Sequence, residues 1–149
     1  MSIYTWLAIS AGATFLLALA AFFNIWHDIR IRNKERKSRL MNEIITWIKR
    51  GLTTFPEYAR MENPFESKFV SVSVAELWSE RGAILTAAQD FGKDFTELVK
   101  GTADILDRTF KEIADTSNIM VAKARALECQ NSFTVLLQAA SEKKAKLKL

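Results

Sequence analysis

The first 27 residues, MSIYTWLAISAGATFLLALAAFFNIWH, hold no acidic or basic side chain except His27, and all 21 Lys/Arg and 17 Asp/Glu of the chain follow them. Between Ile3 and Trp26 the polar members Thr5, Ser10, Thr14 and Asn24 can bond their own helix or a neighbour. A helix rises about 1.5 Å per residue and a hydrocarbon core is about 30 Å thick, so about 20 such residues suffice to cross it. Tyr4 and Trp6 stand at one end of the run and Trp26 at the other, the spacing of the two interfacial aromatic belts. A single-pass transmembrane helix is therefore expected over residues 1–27.

A cleaved signal peptide competes with this reading, because Ala18-Leu19-Ala20 has the A-x-A form of a cleavage site. Two features oppose it. No Lys or Arg precedes the apolar run, and Arg30, Arg32, Lys34, Arg36, Lys37 and Arg39 follow it at once. Positive charge beside a span is held on the cytoplasmic side, so the N-terminus is expected outside and residues 28–149 in the cytoplasm, at the cell inner (plasma) membrane. The same six side chains, with Tyr4, Trp6 and Trp26, are the expected membrane-interface residues, and membrane lipid is an expected partner. No aromatic interleaves the basic cluster, so nucleic acid is not expected.

Charge is unevenly spread beyond the span. Residues 28–60 and 141–149 are net basic, while residues 61–140 carry eight Lys/Arg against twelve Asp/Glu. The single cysteine, Cys129, allows no internal disulfide.

Apolar periodicity divides the rest. Residues 28–50 read as a basic neck, "RNKERKSR", leading into an amphipathic helix through Leu40, Met41, Ile44, Ile45, Trp47, Ile48 and Leu52, with Lys49-Arg50-Gly51 as its end. The neck is a solvated helix or a hinge. Residues 51–73 hold both prolines and read as a connector, with Asn63-Pro64 and Glu66 in the form of a helix start. "FVSVSV" alternates like a strand but has no evident partner strand, so it is expected as connector or helix lead-in, with strand addition to a partner as the alternative. Ser73 with Glu76 resembles a capping box.

Residues 74–149 read as a long helical hairpin with a basic tail. Leu77, Trp78, Ile84, Leu85, Ala88, Phe91, Phe95, Leu98 and Val99 share one face, on which Ala88 and Gly92 suit close approach of a second helix. Arg81 falls on the same face and is expected to lay its stem over the stripe with its head in water. Lys100-Gly101-Thr102 punctuates the chain, and Asp115-Thr116-Ser117-Asn118 is a further break. A second face carries Leu106, Phe110, Ile113, Met120, Val121, Ala124 and Leu127, and then shifts to Cys129, Phe133, Leu136, Leu137 and Ala140. The stripes do not hold strict coiled-coil spacing over many heptads. The expected fold is all-α: an N-terminal single-pass transmembrane helix followed by an elongated helical hairpin or small antiparallel helical bundle.

Chemistry-bearing patterns are few. His27 beside Asp28 makes no metal set, and Cys129 has no His, Lys or second Cys at motif spacing. Acid pairs at Glu76/Glu80, Asp90/Asp94/Glu97 and Asp104/Asp107 read as solvated faces. No cofactor, metal site or catalytic residue is expected. The expectation is a non-enzymatic single-pass protein whose cytoplasmic helical domain binds other proteins, as accessory subunit or scaffold of a membrane complex. The alternative is a membrane-active homo-oligomer, for which Ala8 and Gly12 offer one small-xxx-small pair. Because the shifted stripe lacks an evident intrachain partner, Phe133, Leu136, Leu137 and Ala140 are the expected partner-binding residues.

Overall fold

A computed structural model describes residues 3–63 and 68–148, with side chains over 12–63 and 72–147. All elements among the described residues are helical. They are α1 (Ile3–Arg60), α2 (Lys68–Ala88), a 3-10 turn (Gln89–Phe91), α3 (Lys93–Asp115) and α4 (Ile119–Lys148). The chain divides into two compact units, Met1–Arg36 and Lys37–Leu149.

In the first unit, α1 is long and apolar enough to cross a membrane, and no part of its apolar window is buried by the rest of the chain. Phe15, Leu17, Phe22 and Phe23 are all more than 60% exposed. The basic neck is helical throughout.

The second unit is organised by one rule that the sequence pattern concealed. Each helix turns inward a seam of residues spaced alternately three and four apart, the coiled-coil repeat. In α1 the buried seam is Met41, Ile44, Ile48, Gly51, Phe55 and Tyr58. In α2 it is Val74, Leu77, Arg81, Ile84 and Ala88, with Arg81 half-buried, and it continues to Phe91 in the turn. In α3 it is Phe95, Val99, Thr102, Leu106 and Thr109, and in α4 it is Ala122, Ala126, Cys129, Phe133, Leu136 and Ala140. The strict spacing extends over only two to three heptads per helix, not many, and on the sequence alone it is not apparent even there. It was hidden because Gly51, Arg81, Thr102 and Thr109 occupy seam positions without looking like core.

Element boundaries differ from expectation in four places. Gly51 does not end α1, which runs through Pro56 to Arg60. An interior proline costs about 3 kcal/mol, but burying each of Trp47 and Phe55 returns about 2–3 kcal/mol. The expected connector over 51–73 therefore shrinks to the residues after Arg60, and the Pro64/Glu66 helix start lies outside the described residues. "FVSVSV" is the lead-in to α2, so Ser73 and Glu76 lie inside that helix and form no capping box. Gly101 is mid-helix in α3.

The fourth difference is at Gly92. It lies between helices with φ 97° and ψ 160°, a conformation that favours glycine, and the chain turns there. It is a turn residue, not a small residue on a packed face. Thr96 Oγ1 donates to Ala88 O at 3.0 Å, and Lys143 Nζ donates to Phe91 O at 3.1 Å, satisfying carbonyls at the end of α2 and its turn. The break at 116–118 occurs as expected. There Asn118 Oδ1 accepts the backbone N–H of Met120 at 3.0 Å and caps α4.

Candidate functional site

Polar and aromatic contacts tie the helices of the second unit together. Trp47 Nε1 on α1 donates to Leu77 O on α2 at 3.0 Å, and Arg50 pairs with Glu80. Between α2 and α3, Trp78 stacks on Phe110 with centroids 4.8 Å apart and donates from Nε1 to Asp107 Oδ1 at 2.8 Å. The Arg81 guanidinium lies over the Trp78 ring at 4.0 Å and reaches Asp107 at 3.4 Å. The expectation of a head in water is corrected: a carboxylate and an indole face receive it. Hydrogen bonds from Lys111 and Trp78 hold the Asp107 carboxyl below the usual carboxylate range.

Between α3 and α4, Thr102 Oγ1 exchanges a hydrogen bond with Ser132 Oγ at 2.8 Å, and Cys129 Sγ donates to Thr109 Oγ1 at 3.2 Å. Burial pushes the Cys129 thiol up to about 11, so at neutral pH it is a protonated core group. Nearer the 116–118 break, Arg125 joins Glu112 of α3 to Glu128 of its own helix.

These pairs fix direction. Residue numbers rise along one helix as they fall along the next: Arg39 to Thr46 share a groove with Glu80 to Ile84 and Thr53 to Glu57 one with Ser73 to Leu77, Trp78 meets Asp107 while Ala88 meets Thr96, and Thr102 meets Ser132 while Thr109 meets Cys129.

The expected partner-binding stripe is placed differently from its premise. Phe133, Leu136 and Ala140 are at most 1% exposed, and Leu137 is half-buried against the same core. Phe133 sits on α1, 4.8 Å from the Trp47 ring and 5.9 Å from Phe55. The stripe therefore has an intrachain partner, and Phe133, Leu136 and Ala140 offer no free surface. What periodicity took for the inner face, Met120, Val121, Ala124 and Leu127, is instead the outer side of α4. The inner side there is built from Ala122, Ala126 and Cys129, small residues that let neighbours approach and that an apolarity count underweights.

Of the expected membrane-interface residues, Tyr4 and Trp6 lie on α1 with side chains outside the described set. Trp26 is 51% exposed, and the Arg30 guanidinium lies 5.6 Å from its ring centroid. Arg30, Arg32, Lys34, Arg36, Lys37 and Arg39 are all exposed on α1. At about 100° per residue Arg30, Lys34 and Lys37 fall on one side of the helix and Arg32, Arg36 and Arg39 on the opposite side, so they form a two-sided collar rather than a single stripe.

Surface grooves open on the second unit. One, of about 410 Å³, runs between α3 and α4; Leu98, Ile105 and Val135 form its walls, and Gly101 lies in it. Leu98 is 42% and Val135 58% exposed, and the groove's only charged residues are Glu97 and Glu128. Another, of about 420 Å³, lies between α1 and α2, with Arg39, Glu43, Arg50 and Glu80 beside Ala83 and Ile84. Among the described residues no three His, Cys, Asp or Glu side chains gather as a metal site. Set beside known protein families, curated proteins and solved structures, the chain matches none.

Proposed function

We propose that this is a single-pass membrane protein, with its N-terminus outside and an antiparallel helical bundle in the cytoplasm, that binds another membrane-complex protein as accessory subunit or scaffold. The span reading is supported by apolar side chains of residues 12–26 that none of the other described residues covers, and its direction by the collar that follows.

The observation that carries the binding role is the α3–α4 groove. Leu98 and Val135 flank Gly101, which leaves open space where another residue would place a side chain. A partner helix presenting an apolar ridge fits such a groove, and cations beside that ridge would meet Glu97 and Glu128.

A photo-crosslinking amino acid placed at Val135 or Leu98 in native membranes tests it. A discrete adduct with a different polypeptide, absent when the probe is moved to Asp104, is the expected result. A ladder of multiples of this chain would favour the membrane-active homo-oligomer, and no adduct at either position would overturn the groove's role.

A further inference from the structure

The outward side of α4 is almost free of charge. From Ala126 to Ser141 the helix holds one charged residue, Glu128, and its exposed positions are Leu127, Asn131, Thr134, Val135, Gln138 and Ser141. A solvated helix face ordinarily carries charge, as the outer side of α3 does with Lys93, Asp94, Lys100, Asp104, Arg108 and Lys111. Depletion of charge marks surface that is desolvated at the centre of an interface. The α3–α4 groove opens beside this neutral face, and Val135 belongs to both.

The two charged residues of the groove stand at its opposite ends. Thr102 meets Ser132 and Thr109 meets Cys129, so Glu128 on α4 comes level with about residue 108 of α3. Glu97 is then about eleven residues, or about 16 Å, away along the groove. Gly101 lies one turn in from Glu97, and nothing stands within 4 Å of where its Cβ would be. Each carboxylate keeps capacity for a further donor, since an ionised carboxylate has about four acceptor sites. Glu97 reaches Lys93 only at 3.9 Å, and Glu128 takes Arg125 Nη1 through Oε2 while the same guanidinium also serves Glu112.

We propose that the groove's occupant is an amphipathic helix of the partner protein that carries two Lys or Arg about eleven residues apart, with a large apolar side chain one turn in from the cation that meets Glu97. The proposal rests on the groove being the partner site and specifies what that partner presents. Eleven residues are about three full turns, so both cations fall on one side of such a helix and reach Glu97 and Glu128 together. The apolar residues between them, at intervals of three and four, form the ridge that enters between Leu98 and Val135. The apolar side chain beside the first cation fills the opening at Gly101, and the neutral side of α4 lies beneath the rest of the helix without leaving a buried charge unpaired.

The test uses the full chain in native membranes with the photo-crosslinking residue at Val135. Glu97→Gln/Glu128→Gln should lower the yield of the adduct with the partner on the order of fivefold, with unchanged circular dichroism. Gly101→Leu should abolish the adduct while raising resistance to denaturant, because Leu is the better helix former and meets open space there. A variant that is more stable yet no longer linked cannot have lost its partner by unfolding. Mass spectrometry of the digested adduct should place the link in a segment with Lys or Arg about ten to twelve residues apart. A yield that ignores both substitutions, or a linked segment without such a pair, would overturn the proposal and leave the groove as the partner site. Absence of any adduct from the unsubstituted chain would overturn both.

Discussion

The ring of Phe133 rests on the bare backbone of Gly51, so close that a Cβ at position 51 would stand 2.8 Å from two of its carbons. Trp47 and Phe55, one helical turn to either side, hold the ring there. An aromatic knob thus fills a hole on α1 whose floor must be glycine. Gly51→Ala gains about 1 kcal/mol of helix propensity but overpacks a fixed ring at a cost of about 1–3 kcal/mol. A net loss of stability is expected by denaturant unfolding. In a Phe133→Leu background the same change should become neutral or stabilising, and equal effects in both backgrounds would mean the two residues are not coupled.

Topology is open to a direct check. A cysteine at Ser2 should react with an impermeant maleimide in intact cells, and one at Ser38 only after lysis. Cys129, 1% exposed, should give no background in the folded protein. Labelling at 38 alone in intact cells would reverse the orientation.

The Cys129 thiol links stability to alkaline pH. Its folded value is raised from 9.0 to about 11, so the unfolded chain ionises first and stability falls as pH rises through that window. The loss approaches about 3 kcal/mol. Tyr58, raised by burial, adds a decline of the same sign above its ordinary range. Cys129→Ala should flatten the pH 9 to 11 part of the unfolding profile relative to wild type. Identical slopes would mean the thiol is solvated in the native state.

Asp107 acts at the other end of the scale. Because hydrogen bonds from Lys111 and Trp78 lower its folded value, its contribution is present above the ordinary carboxylate range and is lost as pH falls through the lowered value. Asp107→Asn should remove that acid-side loss, as read from unfolding curves at descending pH. It should also red-shift Trp78 emission, since the Arg81 head held over the indole would lose its carboxylate. An acid limb unchanged by the substitution would place the loss on other carboxylates.

The all-helical composition and the apolar N-terminal helix were legible because both are statements about long periodic runs. The seams were legible only in part. Phe91 and Phe95 are spaced as if on one continuous helix, yet Gly92 turns the chain between them; a four-residue interval looks the same across a tight turn when both flanks are buried. Thr102 and Thr109 are core because Ser132 and Cys129 bond to their hydroxyls, and no single-helix pattern contains that information. The misreading of Phe133 has the same origin. An apolar stripe announces that it needs a partner, but the partner, Gly51, is a residue with no side chain to announce itself.

That pairing joins the first helix of the domain to its last, and so it orders events during synthesis. Trp47 and Phe55 leave the ribosome about 80 residues before the ring that covers them. Until α4 is made, the inward face of α1 has no Phe133 to cover it. The second unit is a domain whose first-made surface is completed last, and a ribosome stalled before Phe133 would display that surface to whatever chaperone or neighbouring chain stands nearby.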